Sequence, residues 1–311
     1  MYMPKCDLTL PCQFYKKHWL KGQSGKCLKP DFNYCVNDFN ENMVSISHTA
    51  KTLFTQCRYA FYLKYILGIQ RREDQLSEPL LAGSIWDDYI GSFHSRKTDL
   101  IYWPDSISEQ LNAKLKALVK VHQQFVSPTT KQFKAQHWIK LSIDNVQVAG
   151  AVDRAYSDHF VETKLSTRPD GYLKPHNMTS QLGTYFLSNP DWKYAIMEVT
   201  RMPGIYFRND ETPEDYYKRI YQDIVKRPTY YFIGLNREEK EFGVRIDRND
   251  INLERVEMEY KMVIREMRDC VKTNAYYHQY AACHDPFECP YISICDTDTV
   301  SETLFTVGGK R

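Results

Sequence analysis

Two carboxylate-bearing segments constrain this chain more than anything else in it: Gly150-Ala151-Val152-Asp153 and Glu162-Thr163-Lys164, with Asp153 and Glu162 nine residues apart. A two-residue hairpin loop at Ser157-Asp158 would pair Tyr156 with His159, Ala155 with Phe160, Arg154 with Val161 and Asp153 with Glu162. Directly opposed side chains lie about 5 Å apart at Cβ, and like charges so opposed are destabilising. A divalent cation between them would resolve the conflict. Lys164, two residues beyond Glu162, points to the same face. The plain alternative is an aspartate at a strand end and an exposed Glu-x-Lys ion pair, since a Glu-x-Lys by itself says little.

A chain of 311 residues holds one large domain with a small appendage, or two modest domains. Hydrophobic residues at 42% and charged residues at 26% exclude wholesale disorder. No apolar run approaches the roughly 20 residues of a membrane-spanning helix, and Met-Tyr-Met-Pro-Lys-Cys does not open a secretory signal. The expected location is cytoplasm. Net charge is +2, which does not announce a nucleic-acid binder, but charge is uneven along the chain. Between Lys114 and Lys140 stand Lys116, Lys120, Lys131 and Lys134 without an acid, interleaved with Phe125, Phe133 and Trp138. That stretch reads either as a solvated helix face or as a surface that tracks phosphates.

Residues 1–42 carry few aliphatic side chains and four cysteines, and could not build a core alone. A helical pattern runs from Ser45 with Leu53, Cys57, Phe61 and Tyr65 on one face, Ser47 or Thr49 serving as cap. Further helices are expected over 80–96, 107–126, 179–187, 213–226 and 253–277. Strands are expected over about 141–156, with a bend or break at Asp144-Asn145, and over 159–166, 194–201 and 230–235. No internal repeat is present.

Nine cysteines in a chain kept reduced favour metal ligation over disulfides. Cys6, Cys12, Cys27 and Cys35 suit a structural zinc site in the coreless first segment, with unliganded surface thiols as the alternative. Cys283, Cys289 and Cys295 are each six apart, and with Cys57 they make four, a number that suits a [4Fe-4S] cluster or a zinc ion equally well. Cys270 in place of Cys57 would make a zinc set; on the long helix it reads better as a buried apolar thiol.

In their order these parts resemble the PD-(D/E)xK nuclease superfamily, specifically its RecB-like, iron-sulfur branch common in bacteriophage genomes, over roughly residues 45–298. The matching parts are Ser45, Ser47 and the lone Cys57; Gly83-Ser84-Ile85-Trp86-Asp87; Gly150-x-x-Asp153; Glu162-x-Lys164; Gln181-x-x-x-Tyr185; and the last three cysteines. Asp87 stands where relatives often carry histidine. The resemblance implies an α/β fold with a restriction-endonuclease-like central mixed sheet flanked by helices. A nuclease domain would span 43–300 after a Cys-rich module at 1–42, with a tail at 301–311. It implies Mg²⁺ or Mn²⁺ held by Asp153, Glu162, the Thr163 carbonyl and Asp87, with Lys164 acting on the attacking water. Gln181 and Tyr185 would orient Lys164 or a phosphate, and a [4Fe-4S] cluster would sit on Cys57, Cys283, Cys289 and Cys295. The implied activity is that of a DNA exonuclease of phage or bacterial recombination, replication or repair, acting on single strands or accessible ends beside recombination or replication proteins in bacterial or host cytoplasm. A non-catalytic DNA-binding scaffold with the same fold, an RNA-directed nuclease and a subunit of CRISPR spacer-capturing machinery are the alternatives. The segment Val199–Tyr231 follows the same phage pattern, and its Arg201, Arg208 and Arg219 read as phosphate contacts or as solvated positions.

Overall fold

The computed structural model describes residues 45–72, 77–96, 107–284 and 288–307. Cys6, Cys12, Cys27 and Cys35, and with them the expected zinc module, lie outside the described residues. In chain order the elements are β1 (Ser45–Ser47), α1 (His48–Gln56), α2 (Arg58–Phe61), a π-helical turn (Tyr62–Ile66), β2 (Ile69–Arg71), α3 (Glu78–His94) and α4 (Glu109–Phe125). There follow β3 (Lys134–Ile143), β4 (Val146–Ala155), β5 (His159–Ser166), α5 (Pro175–Ser188), β6 (Tyr194–Arg201), α6 (Pro213–Lys226) and α7 (Pro228–Tyr231). The last are β7 (Val244–Asp247), α8 (Leu253–Thr273), α9 (Ile292–Thr297) and β8 (Phe305–Val307).

The chain divides into two compact units. One comprises the described residues of Leu76–Ile143 and Gln147–Tyr260, and its frame is a mixed sheet in which β3 pairs β4, followed by β5, β6 and β7. Strand β5 runs antiparallel to β4 and parallel to β6, and β7 is antiparallel to β6. The parallel step needs a crossover, which α5 supplies. Pro175 opens that helix, and the Arg248 guanidinium closes it by donating to the Phe186, Asn189 and Trp192 carbonyls. Gly183 on α5 permits close packing, because a Cβ there would stand 2.7 Å from Val256 Cγ2 on α8. One core of this unit gathers Trp86, Tyr89 and Ile90 of α3, Leu115, Leu118 and Val121 of α4, and Tyr216, Ile220 and Ile224 of α6.

The hairpin register expected from the sequence is present: Arg154 pairs Val161, Ala155 pairs Phe160, and the Tyr156 N–H donates to the His159 carbonyl. The expected strand over 141–156 is instead two strands. Asp144 and Asn145 both take left-handed φ, 48° and 64°, and turn the chain between β3 and β4. Strand β3 starts at Lys134, so the end of the lysine-rich stretch, with Lys134 and Lys140, is strand and not helix. The segment expected as strand at 230–235 begins within α7, where Pro228 opens a helical turn, and β7 was not foreseen.

The other unit comprises the described residues of Met1–Gln75, Asp144–Val146 and Lys261–Arg311. The helix expected from Ser45 breaks at Cys57, whose extended φ of −154° ends α1 and whose Sγ accepts from the Ala60 N–H to cap α2. Strands β2 and β8 pair antiparallel, and a small core forms from Ala60, Leu63, Ile69, Tyr291, Ile294 and Phe305. Among the described residues no helix is long and apolar enough to cross a membrane.

Candidate active site

Strand alternation places Asp153 on one face of the sheet and Arg154 on the other. The ladder between β4 and β5 ends one step short of Asp153 and Glu162. At that step the Thr163 N–H donates to Asp153 Oδ2 at 2.7 Å, so the aspartate carboxylate takes up a backbone donor that the ladder leaves over. Glycine three residues earlier has a steric reason, since a Cβ on Gly150 would press to 3.3 Å from Tyr185 Cε1.

Glu162 is 3% exposed and lies at the centre of a hydrogen-bonded group. Its Oε1 is paired with Lys164 Nζ and accepts from Gln181 Nε2 at 2.7 Å. Gln181 also donates to the Tyr185 hydroxyl at 3.0 Å, and that hydroxyl donates to the Ala151 carbonyl at 2.9 Å. The i, i+4 pair on α5 thus reaches back to β4 and β5, holding Glu162 and not Lys164. Glu162 Oε2 is buried without a hydrogen-bond partner.

Burial, and after it the neighbouring Asp153, raises the Glu162 carboxyl to about 7, although Lys164 pulls the other way. Burial and then Asp153 likewise raise Asp87, on α3, to about 6. Burial works against the Lys164 ammonium, but the Glu162 carboxylate outweighs it and the pKa is raised. Burial leads both shifts and the neighbouring carboxylates add to it, a pattern that marks a candidate functional site.

Asp87 and Asp153 are linked by a residue that the sequence did not single out. Gln136 Nε2 donates to Asp87 Oδ2 and to Asp153 Oδ1, each at 3.3 Å. Gln136 sits among the lysines and aromatics of a stretch that reads as surface, and no motif flags it. Among the described residues no three His, Cys, Asp or Glu side chains stand close enough together to grip one ion as they are placed. The donor chemistry nevertheless fits a hard divalent cation: several carboxylate oxygens, one of them orphaned in a buried position, beside the Thr163 main chain. Asp87, Asp153, Glu162, Lys164, Gln181 and Tyr185 all belong to this unit.

In the other unit, Cys57, Cys283, Cys289 and Cys295 are free thiols. The Cys289 N–H donates to the Cys283 carbonyl, and Cys57 and Cys289 pack against the small core. Burial raises Cys289, and the Cys57 and Cys283 thiolates add to it. Cys295 is pushed up to about 11 by burial and then by Cys289, Cys57 and Cys283. The four are electrostatic neighbours. Cys270 is a buried thiol, raised first by burial. Arg201 stacks on Tyr230 and lies 3.5 Å from Asp170, and Arg219 is paired with Glu211, so each guanidinium already has a carboxylate partner.

A mixed α/β sheet with acids and a lysine gathered at the β4–β5 hairpin defines a class of nucleic-acid hydrolases. A model of the PD-(D/E)XK nuclease superfamily matches residues 45–296, and the chain belongs to that superfamily. Among solved structures, a crystal structure from Eubacterium rectale described as "Putative exonuclease" is 12% identical, with 82% of this chain and 96% of that chain covered and a TM-score of 0.35. A comparison with curated proteins returned no match.

Proposed function

We propose that this nuclease is a divalent-metal-dependent deoxyribonuclease, acting as an exonuclease on single strands or accessible ends in DNA recombination, replication or repair. The supporting observation is the gathering of Asp87, Asp153, Glu162 and Lys164 about one hairpin, with Gln181 and Tyr185 bracing it. Asp153, Glu162, Asp87 and the Thr163 carbonyl would hold Mg²⁺ or Mn²⁺. A bound cation supplies an activated water and neutralises charge on the phosphate. The chain's own groups do the rest. Lys164 places an ammonium beside Glu162, where it can position a water and share the charge of a phosphate oxygen. Gln181 fixes the rotamer of Glu162, and Tyr185 fixes the amide of Gln181, so the carboxylate is oriented before substrate arrives.

The test is a digestion time course on end-labelled single-stranded and duplex oligonucleotides, with and without Mn²⁺. Products shortened one end at a time, only with metal, are expected. Asp153→Ala, Glu162→Ala and Lys164→Ala should each lower the rate by about 10²-fold or more. Undiminished cleavage by any of them would remove that residue from the site.

For Cys57, Cys283, Cys289 and Cys295 the proposal is a structural [4Fe-4S] cluster. Burial, and after it the neighbouring thiols, raises Cys289 and Cys295, and a bound metal would supply positive charge to hold them as thiolates.

A further inference from the structure

Gln136 is the third residue of β3 and has φ of 44°, a left-handed conformation inside a strand that a glutamine adopts at a cost. A backbone held this way needs a compensating contact, and the side chain shows it. One carboxamide nitrogen spans Asp87 Oδ2 on α3 and Asp153 Oδ1 on β4, at 3.3 Å to each. Two acids from different elements are thereby held around a single neutral donor. An amide carries only partial positive charge on its two hydrogens, so it substitutes incompletely for a cation at that place.

The carboxamide also carries an oxygen. A half-turn about its terminal bond replaces the N–H₂ group, a donor, by a carbonyl, which is a hard neutral ligand of the kind Mg²⁺ and Mn²⁺ accept. Gln136 is exposed, and the turn exchanges two 3.3 Å hydrogen bonds for an oxygen at the same place. The acids alone fall short of a cage, as no three His, Cys, Asp or Glu side chains among the described residues meet around one point. A neutral oxygen from an amide supplies a donor that such a count of acids, histidines and cysteines leaves out.

We infer that Gln136 is an interchangeable partner of Asp87 and Asp153: its N–H₂ bridges them when no cation is held, and its Oε1 turns in as a further ligand when one is. This rests on the metal-dependent reading of the site given above. It adds a ligand, and it explains the left-handed residue as the price of aiming the amide between two elements.

The experiment is Mn²⁺ binding to the full-length protein by titration calorimetry and by the electron paramagnetic resonance signal of free Mn²⁺, without DNA. Gln136→Gly is the primary variant, because glycine takes a positive φ freely and the strand keeps its course. It should bind Mn²⁺ about tenfold more weakly than the parent. Gln136→Glu restores an oxygen donor and should bind at least as tightly as the parent. Asp153→Ala separates this inference from the one beneath it. If Asp153→Ala loses Mn²⁺ while Gln136→Gly binds it as the parent does, or more tightly, Gln136 is no ligand and the inference is overturned with the site intact. If Asp153→Ala binds Mn²⁺ like the parent, the metal-dependent reading of the site itself fails.

Discussion

Arg154 and Glu198 form an ion pair on the sheet face turned away from Asp153, with side chains only 3% and 8% exposed. Such a pair contributes little net stability when intact, but removal of one partner leaves an uncompensated buried charge. Glu198→Ala is therefore expected to destabilise the protein by about 3–5 kcal/mol in urea unfolding, far more than an exposed pair such as Arg255–Glu259 would show on losing its acid. A loss below about 1 kcal/mol would mean that Arg154 reaches water when unpaired. At this scale the sequence disclosed much of the site. Hairpin spacing put Asp153, Glu162 and Lys164 together, the family resemblance added Gln181 and Tyr185, and the structure brings all five side chains into one group. Gln136 was not legible, since its reach depends on one positive φ that no neighbouring residue type demands.

Elements here are placed by close approaches that tolerate little change. Helix α5 carries Gln181 and Tyr185, and its Gly183 lies where a Cβ would stand 2.7 Å from Val256 Cγ2 and 3.2 Å from Cγ1. Gly183→Ala is expected to cost about 1–3 kcal/mol through overpacking, even though alanine is the better helix former. Trimming the opposing side chain in the double variant with Val256→Ala should recover part of that loss, so the two changes should be non-additive when compared by chemical denaturation. Additive effects would place the strain elsewhere. The long periodic helices and β6 were legible to within a few residues because their apolar patterns are regular. The break at Cys57 and the turn at Asp144-Asn145 shifted boundaries because cap and turn geometry override periodicity.

Across the described residues, the two compact units carry different side-chain chemistry: the site acids and lysine in one, Cys57, Cys283, Cys289 and Cys295 in the other. Cys57 and Cys289 pack against a small core, Ala60, Leu63, Ile69, Tyr291, Ile294 and Phe305, and so small a core gains from a covalent or metal staple. Anaerobically purified protein is expected to be brown with broad visible absorbance, and Cys289→Ser to lose both iron and colour with a lower melting temperature. Colourless parent protein lacking iron under those conditions would reject the cluster. The sequence by itself determined the strand register of the β4–β5 hairpin, because that follows from local spacing and side-chain alternation. Only the tertiary structure decided that Asp87 and Asp153 share one amide, that Glu162 keeps an unpartnered oxygen, and that Gln181 braces Glu162 and not Lys164. Those facts depend on distances between elements far apart in the chain, which packing sets and local pattern does not encode.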